Sequence, residues 1–190
     1  MHLNLVSSLV GKEVSSKFLS MALCFLGALS LALFAQISFT LPFTPVPVTA
    51  QSLGVLLIGA AFGAKRAFST TCLYIVFGLI GLPVFSAGTS GLATLSGVTG
   101  GYLLGFIFAA TGMGYLGDRA RDRSLLSAFG CFIIGHAIIF LIGMAWLSFY
   151  VPANKILALG FTPFVPGMIF KTVAAALIMP SLWKLTSKIK

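Results

Sequence analysis

The chain has 190 residues and a net charge of +9, and it is 58% apolar with only 8% charged residues. A soluble domain carries about a quarter charged residues, so this composition excludes a water-soluble globular protein and leaves an all-α membrane protein. The length leaves room for one helical bundle and none for an added soluble catalytic domain. The positive charge is no sign of nucleic-acid binding, because the basic residues stand at the ends of apolar runs.

Residues 1–16 read as a cytoplasmic leader. They are not a cleaved signal peptide, since the apolar run that follows is as long as a full span and no small-residue cleavage site closes it. No charged residue occurs between positions 18 and 64, or between 67 and 117. About 20 apolar residues cross a bilayer, so each stretch holds two spans and their connection. The first span is expected at 17–37. It carries a small-residue stripe, Ala28 and Ala32, that suits close helix approach. Three prolines at Pro42, Pro45 and Pro47 then forbid a regular helix. The second span is expected at 49–63, the turn Gly63-Ala64-Lys65-Arg66 follows, and the third covers 67–82.

From Pro83 to Gly100 the chain is rich in Gly, Ser and Thr and uncharged. A long segment without regular structure is expected there, and such segments are often functional. The fourth span is expected at 101–116 and the fifth at 125–149, separated by the polar run from Gly117 to Arg123. A connection with three prolines leads to the sixth span, 167–183. With six spans, both termini share one side of the membrane. That side collects Lys12, Lys17, Lys65, Arg66, Arg119, Arg121, Arg123, Lys184, Lys188 and Lys190, with Glu13, Asp118 and Asp122; the other side has only Lys155. The positive-inside rule makes both termini cytoplasmic. The expected organisation is thus one multi-pass domain, 1–190, in the cell membrane with lipid as its surroundings.

Lys171 is the one cation expected inside a span. An intramembrane charge points to a functional site, and the chain's three acids lie at the opposite end of the bundle. Two readings stand. Lys171 meets a ligand carboxylate, helped by the positive end of the sixth helix, or it snorkels to the headgroups. Gln51 and Thr49 offer an amide and a hydroxyl, although Thr49 also suits a helix cap. Tyr102 reads first as an interfacial aromatic, and His136 as a satisfied histidine of the bundle. Cys24, Cys72 and Cys131 show no CxxC pairing and read as small apolar side chains. No metal site, cofactor motif, Walker loop or nucleophile–base pair is visible, so no enzyme is expected.

Three stretches give the chain a resemblance to the BioY family, the biotin-binding S components of energy-coupling-factor vitamin transporters. They are Pro45-Val-Pro-Val-Thr-Ala-Gln51 running on to Lys65-Arg66, Gly81-Leu-Pro-Val-Phe85 continuing through Gly97-Val-Thr-Gly-Gly-Tyr102 to Phe106, and Pro163-Phe-Val-Pro-Gly167 with Lys171. The resemblance implies six helices and a biotin site near the outer face, closed by the loops after the first and third helices. It implies substrate-binding roles for Lys171, Gln51, Thr49, Phe85, Tyr102 and Met168. It also implies that the Ala28/Ala32 face meets a transmembrane T protein, which works with two ATPases. The family usually has an acid where this chain has Met168, and a proline or arginine where it has Val98. Met168 therefore keeps open an S component for another small anionic vitamin. A small proton-coupled or solitary carrier is the alternative of a different class, although such a carrier would want an intramembrane acid.

Overall fold

The computed structural model describes residues 4–10 and 17–189. Its helices are α1 Leu5–Val10, α2 Lys17–Gln36, α3 Gln51–Phe62, α4 Ala64–Leu79, α5 Gly91–Leu95, α6 Gly100–Asp118, α7 Leu125–Leu147, α8 Ile156–Gly160 and α9 Val165–Ile189. The long helices α2, α3, α4, α6, α7 and α9 run through the segments expected as spans. By length and apolarity, three stretches among the described residues are sufficient to cross a membrane: α2, α7, and Ala153–Thr186, which includes most of α9. The shorter α3 is apolar after its opening Gln51-Ser52.

Helix α6 lies at the centre, packed on α7, α3 and α4. Six of its 19 residues are glycine, which lowers its hydropathy but lets its neighbours come to backbone contact. A Cβ on Gly117 would lie 2.6 Å from the carbonyl oxygen of Ala60 on α3. From the facing side, a Cβ on Gly59 would lie 2.7 Å from the carbonyl oxygen of Ala110. Small residues at such crossings replace the hydrophobic drive that helices in lipid lack.

Several expectations need correction. The segment 83–100 is not structureless: it contains a 3-10 turn at Ser86–Gly88 and the short helix α5. The 150–166 connection likewise contains α8 between two 3-10 turns. Part of the leader is helical, and α1 buries Leu5 against the bundle. The small-residue stripe of α2 faces inward. Ala28 is wholly buried and Ala32 half-buried against the core, because α2 uses this face to pack on α4 and α3. Ala28 is therefore closed to a partner protein.

The two ends of the bundle differ in charge. One end gathers the start of α2 and α4 and the loop after α6. There Asp118 accepts from the Ala64 backbone N–H and from Asn4 Nδ2, each at 3.0 Å, which caps α4 and holds α1. Arg66 donates to Ser7 Oγ and Ser20 Oγ at 3.2 Å. Lys12, Glu13 and Lys190 lie outside the described residues, as do the side chains at 187–189.

Asp122 in the same loop is fully buried and accepts from Trp183 Nε1 at 3.0 Å. Burial pushes its carboxyl above the usual carboxylate range, while the Trp183 bond and the Arg123 charge favour the ionised form. Trp183→Phe removes that donor and is expected to cost about 1–3 kcal/mol at neutral pH. Because Trp183 favours the charged form, the difference should shrink as pH falls through the carboxyl's titration. Thermal melts of both proteins across pH 4–8 (roughly the carboxyl range and above) check this; a pH-independent difference would contradict it.

Candidate functional site

At the opposite end, α3, α6 and α9 all begin, and the irregular connections 37–50, 80–99 and 148–164 fold over them. The Pro-rich loop is pinned at its base, where β1 (Ser38–Phe39) pairs antiparallel with β2 (Val48–Thr49). Its middle is tied to the 148–164 connection by Thr44 Oγ1, which donates to the Leu159 carbonyl at 2.7 Å. The loop after α4 is held just as firmly. Tyr74 donates to the Val84 carbonyl at 3.0 Å, and Gln36 Nε2 to the Phe85 carbonyl at 3.2 Å. The Phe85 ring lies on Gly78, where any Cβ would collide with it, and meets Tyr74 edge-on at 5.6 Å. That glycine and the Val84–Phe85 anchors turn a polar-looking loop into a fixed cover.

Beneath these connections is a mainly apolar cavity of roughly 660 Å³ of empty space, its mouth included. All six residues expected at the site, Thr49, Gln51, Phe85, Tyr102, Met168 and Lys171, line it. They come from four separate segments of the chain.

Lys171 sits in the second turn of α9 and is half-buried. Its ammonium turns inward and donates to the Thr49 carbonyl at 2.6 Å and to Ser52 Oγ at 3.0 Å. The snorkelling alternative is not what the side chain does. Both partners are neutral oxygens. An ammonium has three donors, so one remains for a further acceptor. The N-termini of α3, α6 and α9 add partial positive charge around the same space.

Other expected residues take roles their types did not announce. Thr49 contributes its carbonyl to Lys171, while its hydroxyl accepts from the Gln51 N–H at 3.3 Å. Tyr102 is buried rather than interfacial. Its ring packs against Gly143, and its hydroxyl donates to the Gly160 carbonyl at 2.8 Å. That bond closes the 148–164 connection over the cavity. Gln51 is 2% exposed, with Nε2 lacking a partner.

Ser52 and His136 are among the lining residues that the sequence reading does not place at the site. Ser52 is an unremarkable helix residue until Lys171 is placed beside it. His136 was read as a satisfied histidine, yet it lines the cavity and its Nε2 has no partner. Its one signal was being a lone ionisable residue in the middle of an apolar span. No group of three or more potential metal ligands occurs among the described residues.

The BioY family model matches residues 10–188. The chain is 38% identical over 161 residues to "Biotin transporter BioY2" of Lactococcus lactis subsp. cremoris, covering 84% of this chain and 87% of that protein. It is 37% identical to "Probable biotin transporter BioY" of Pyrococcus horikoshii, over 90% of this chain and 96% of that one. Among solved structures it resembles a crystal structure of the S-component for biotin from an ECF-type ABC transporter, with a TM-score of 0.78 and 26% identity. That match covers 88% of this chain and 92% of the other.

Proposed function

The chain belongs to the BioY family, and from that membership we propose that it captures biotin and carries it across the cell membrane as the S component of an energy-coupling-factor transporter. The observation that carries the reading is Lys171: a half-buried ammonium in an apolar cavity, held only by neutral oxygens. Biotin brings the carboxylate it lacks. Its thiophane ring and aliphatic tail suit the Phe85, Tyr102 and Met168 walls, and its ureido group has polar partners in Gln51 and its surroundings. The protein is the binding and carrying component and not an enzyme.

In this proposal α2, α3, α4, α6, α7 and α9 are the six spans. The helix α3 is only roughly 18 Å long at 1.5 Å per residue, against a hydrocarbon core of about 30 Å. The Pro-rich loop before it therefore reaches into the membrane, where irregular backbone survives by lining a protein cavity. The basic end, with Lys65, Arg66, Arg119, Arg121, Arg123 and Lys184, is cytoplasmic, and the cavity opens outward. Energy comes from a T protein and two ATPases. A partner approaching α2 meets Ala32 with the exposed Leu29 and Leu33, since Ala28 is closed.

Equilibrium binding to the purified chain tests the proposal, with biotin and lipoate as competing probes. Biotin should bind tightly and lipoate weakly. Met168 supports one other reading, a different anionic vitamin, and preference for lipoate would favour it. Biotin uptake that collapses with a protonophore while ATP is held constant would instead indicate a proton-coupled carrier.

A further inference from the structure

His136 stands in the middle of α7 with 1% of its surface exposed, at the wall of the cavity. Its Nδ1 lies 3.0 Å from the Phe132 carbonyl oxygen and 3.2 Å from Thr172 Oγ1. A carbonyl can only accept, so Nδ1 carries the hydrogen. The hydroxyl oxygen of Thr172 then shares it. In a neutral ring protonated at Nδ1, the other nitrogen is a bare lone pair. That nitrogen, Nε2, has no partner among the described residues.

Gln51 presents the complementary case. Its buried amide interacts with the Tyr74 hydroxyl, but Nε2 closes no hydrogen bond of ordinary length, and Gln51 lines the same cavity. The walls thus hold one unmet acceptor and one unmet donor, each fixed on a helix. Buried polar groups are almost always paired, and leaving one unmet costs far more than a formed bond contributes. A ligand that meets both offers a donor such as an N–H to His136 and an acceptor such as a carbonyl oxygen to Gln51. The Lys171 ammonium cannot supply the first need of such a ligand, because it has no acceptor to give.

We infer that His136 Nε2 accepts a hydrogen bond from a ligand N–H, so that His136, with Gln51 donating to the adjacent carbonyl, selects for a cyclic urea or lactam head. This deepens the biotin reading and rests on it: the ureido ring of biotin carries an N–H on each side of its carbonyl. Thr172 and Phe132 act as positioning residues, holding the ring in the tautomer that leaves Nε2 free. Lys171 reads the acid, while His136 separates a urea from an isosteric ring without the hydrogen.

The test uses the detergent-purified full chain and three ligands: biotin and two analogues in which one or the other ureido N–H is replaced by oxygen. Wild type should bind one analogue about tenfold more weakly than biotin, because a lone pair then faces Nε2. His136→Leu should bind biotin about tenfold more weakly than wild type and no longer distinguish it from that analogue. Equal wild-type affinity for biotin and both analogues overturns the inference, and does so without any variant. So does full discrimination retained by His136→Leu. Wild type that fails to bind biotin at all overturns the biotin reading as well, whereas wild type that binds biotin without distinguishing it from either analogue overturns only the role of His136.

Discussion

Lys171→Ala is expected to weaken biotin binding at least about tenfold, because removing one member of a buried charge pair leaves the other uncompensated. The structure sharpens this expectation in two ways. Lys171 spends two of its three donors on the Thr49 carbonyl and Ser52 Oγ, which aims the third rather than leaving it to rotate. Among the described residues no acid lines the cavity to take its place. A biotin amide has no charge to pair, so its affinity should fall much less. Titrating wild type and Lys171→Ala with both ligands measures the difference directly. A mutant that binds biotin like wild type would end the ion-pair reading, even if the cavity remained the binding site.

Gly59→Leu and Gly117→Leu are expected to abolish accumulation of folded protein. At both positions α3 and α6 meet through backbone atoms. The added Cβ alone would sit 2.7 Å from the Ala110 carbonyl oxygen or 2.6 Å from that of Ala60. Real Cβ contacts essentially never come so close, so the helices themselves must separate. Overpacking a core costs about 1–3 kcal/mol and occasionally more through shifted side chains and backbone, and here a whole leucine side chain is driven against facing backbone. Total stability is commonly only about 5–15 kcal/mol. Gly130→Leu is the control, since a Cβ there meets nothing within 4 Å. Size-exclusion profiles and melting temperatures of the three variants check the prediction; intact Gly59→Leu and Gly117→Leu bundles would refute the close α3–α6 contact.

The site was partly legible before the structure. Lys171, Gln51, Thr49, Phe85, Tyr102 and Met168 all line the cavity, and Lys171 stood out because charge in an apolar span is costly wherever that span packs. The roles were less legible. Whether Thr49 offers its hydroxyl or its carbonyl depends on the β1–β2 pairing that turns its backbone toward α9. Tyr102 looks the same in sequence at a lipid interface or beneath a loop; Gly143 and Gly160 decide that it is buried. His136 reads as satisfied because the Phe132 carbonyl pairs with one ring nitrogen, while the other has no partner among the described residues. A sequence does not show which nitrogen points where.

Composition and charge order by themselves determined that the chain is a helical membrane protein, where its long helices run, and which end is basic. Those properties follow from transfer energies summed residue by residue, with no need of a partner across the fold. Only the tertiary structure decided which faces those helices present. The Ala28 stripe turned inward because α2 packs on α4 there, and the segments 83–100 and 150–166 folded into a cover because distant groups, Tyr74, Gln36, Tyr102 and Thr44, bond to their carbonyls. Hydrogen bonds and close packing join residues far apart in the chain, and no local rule of hydropathy or spacing names their partners.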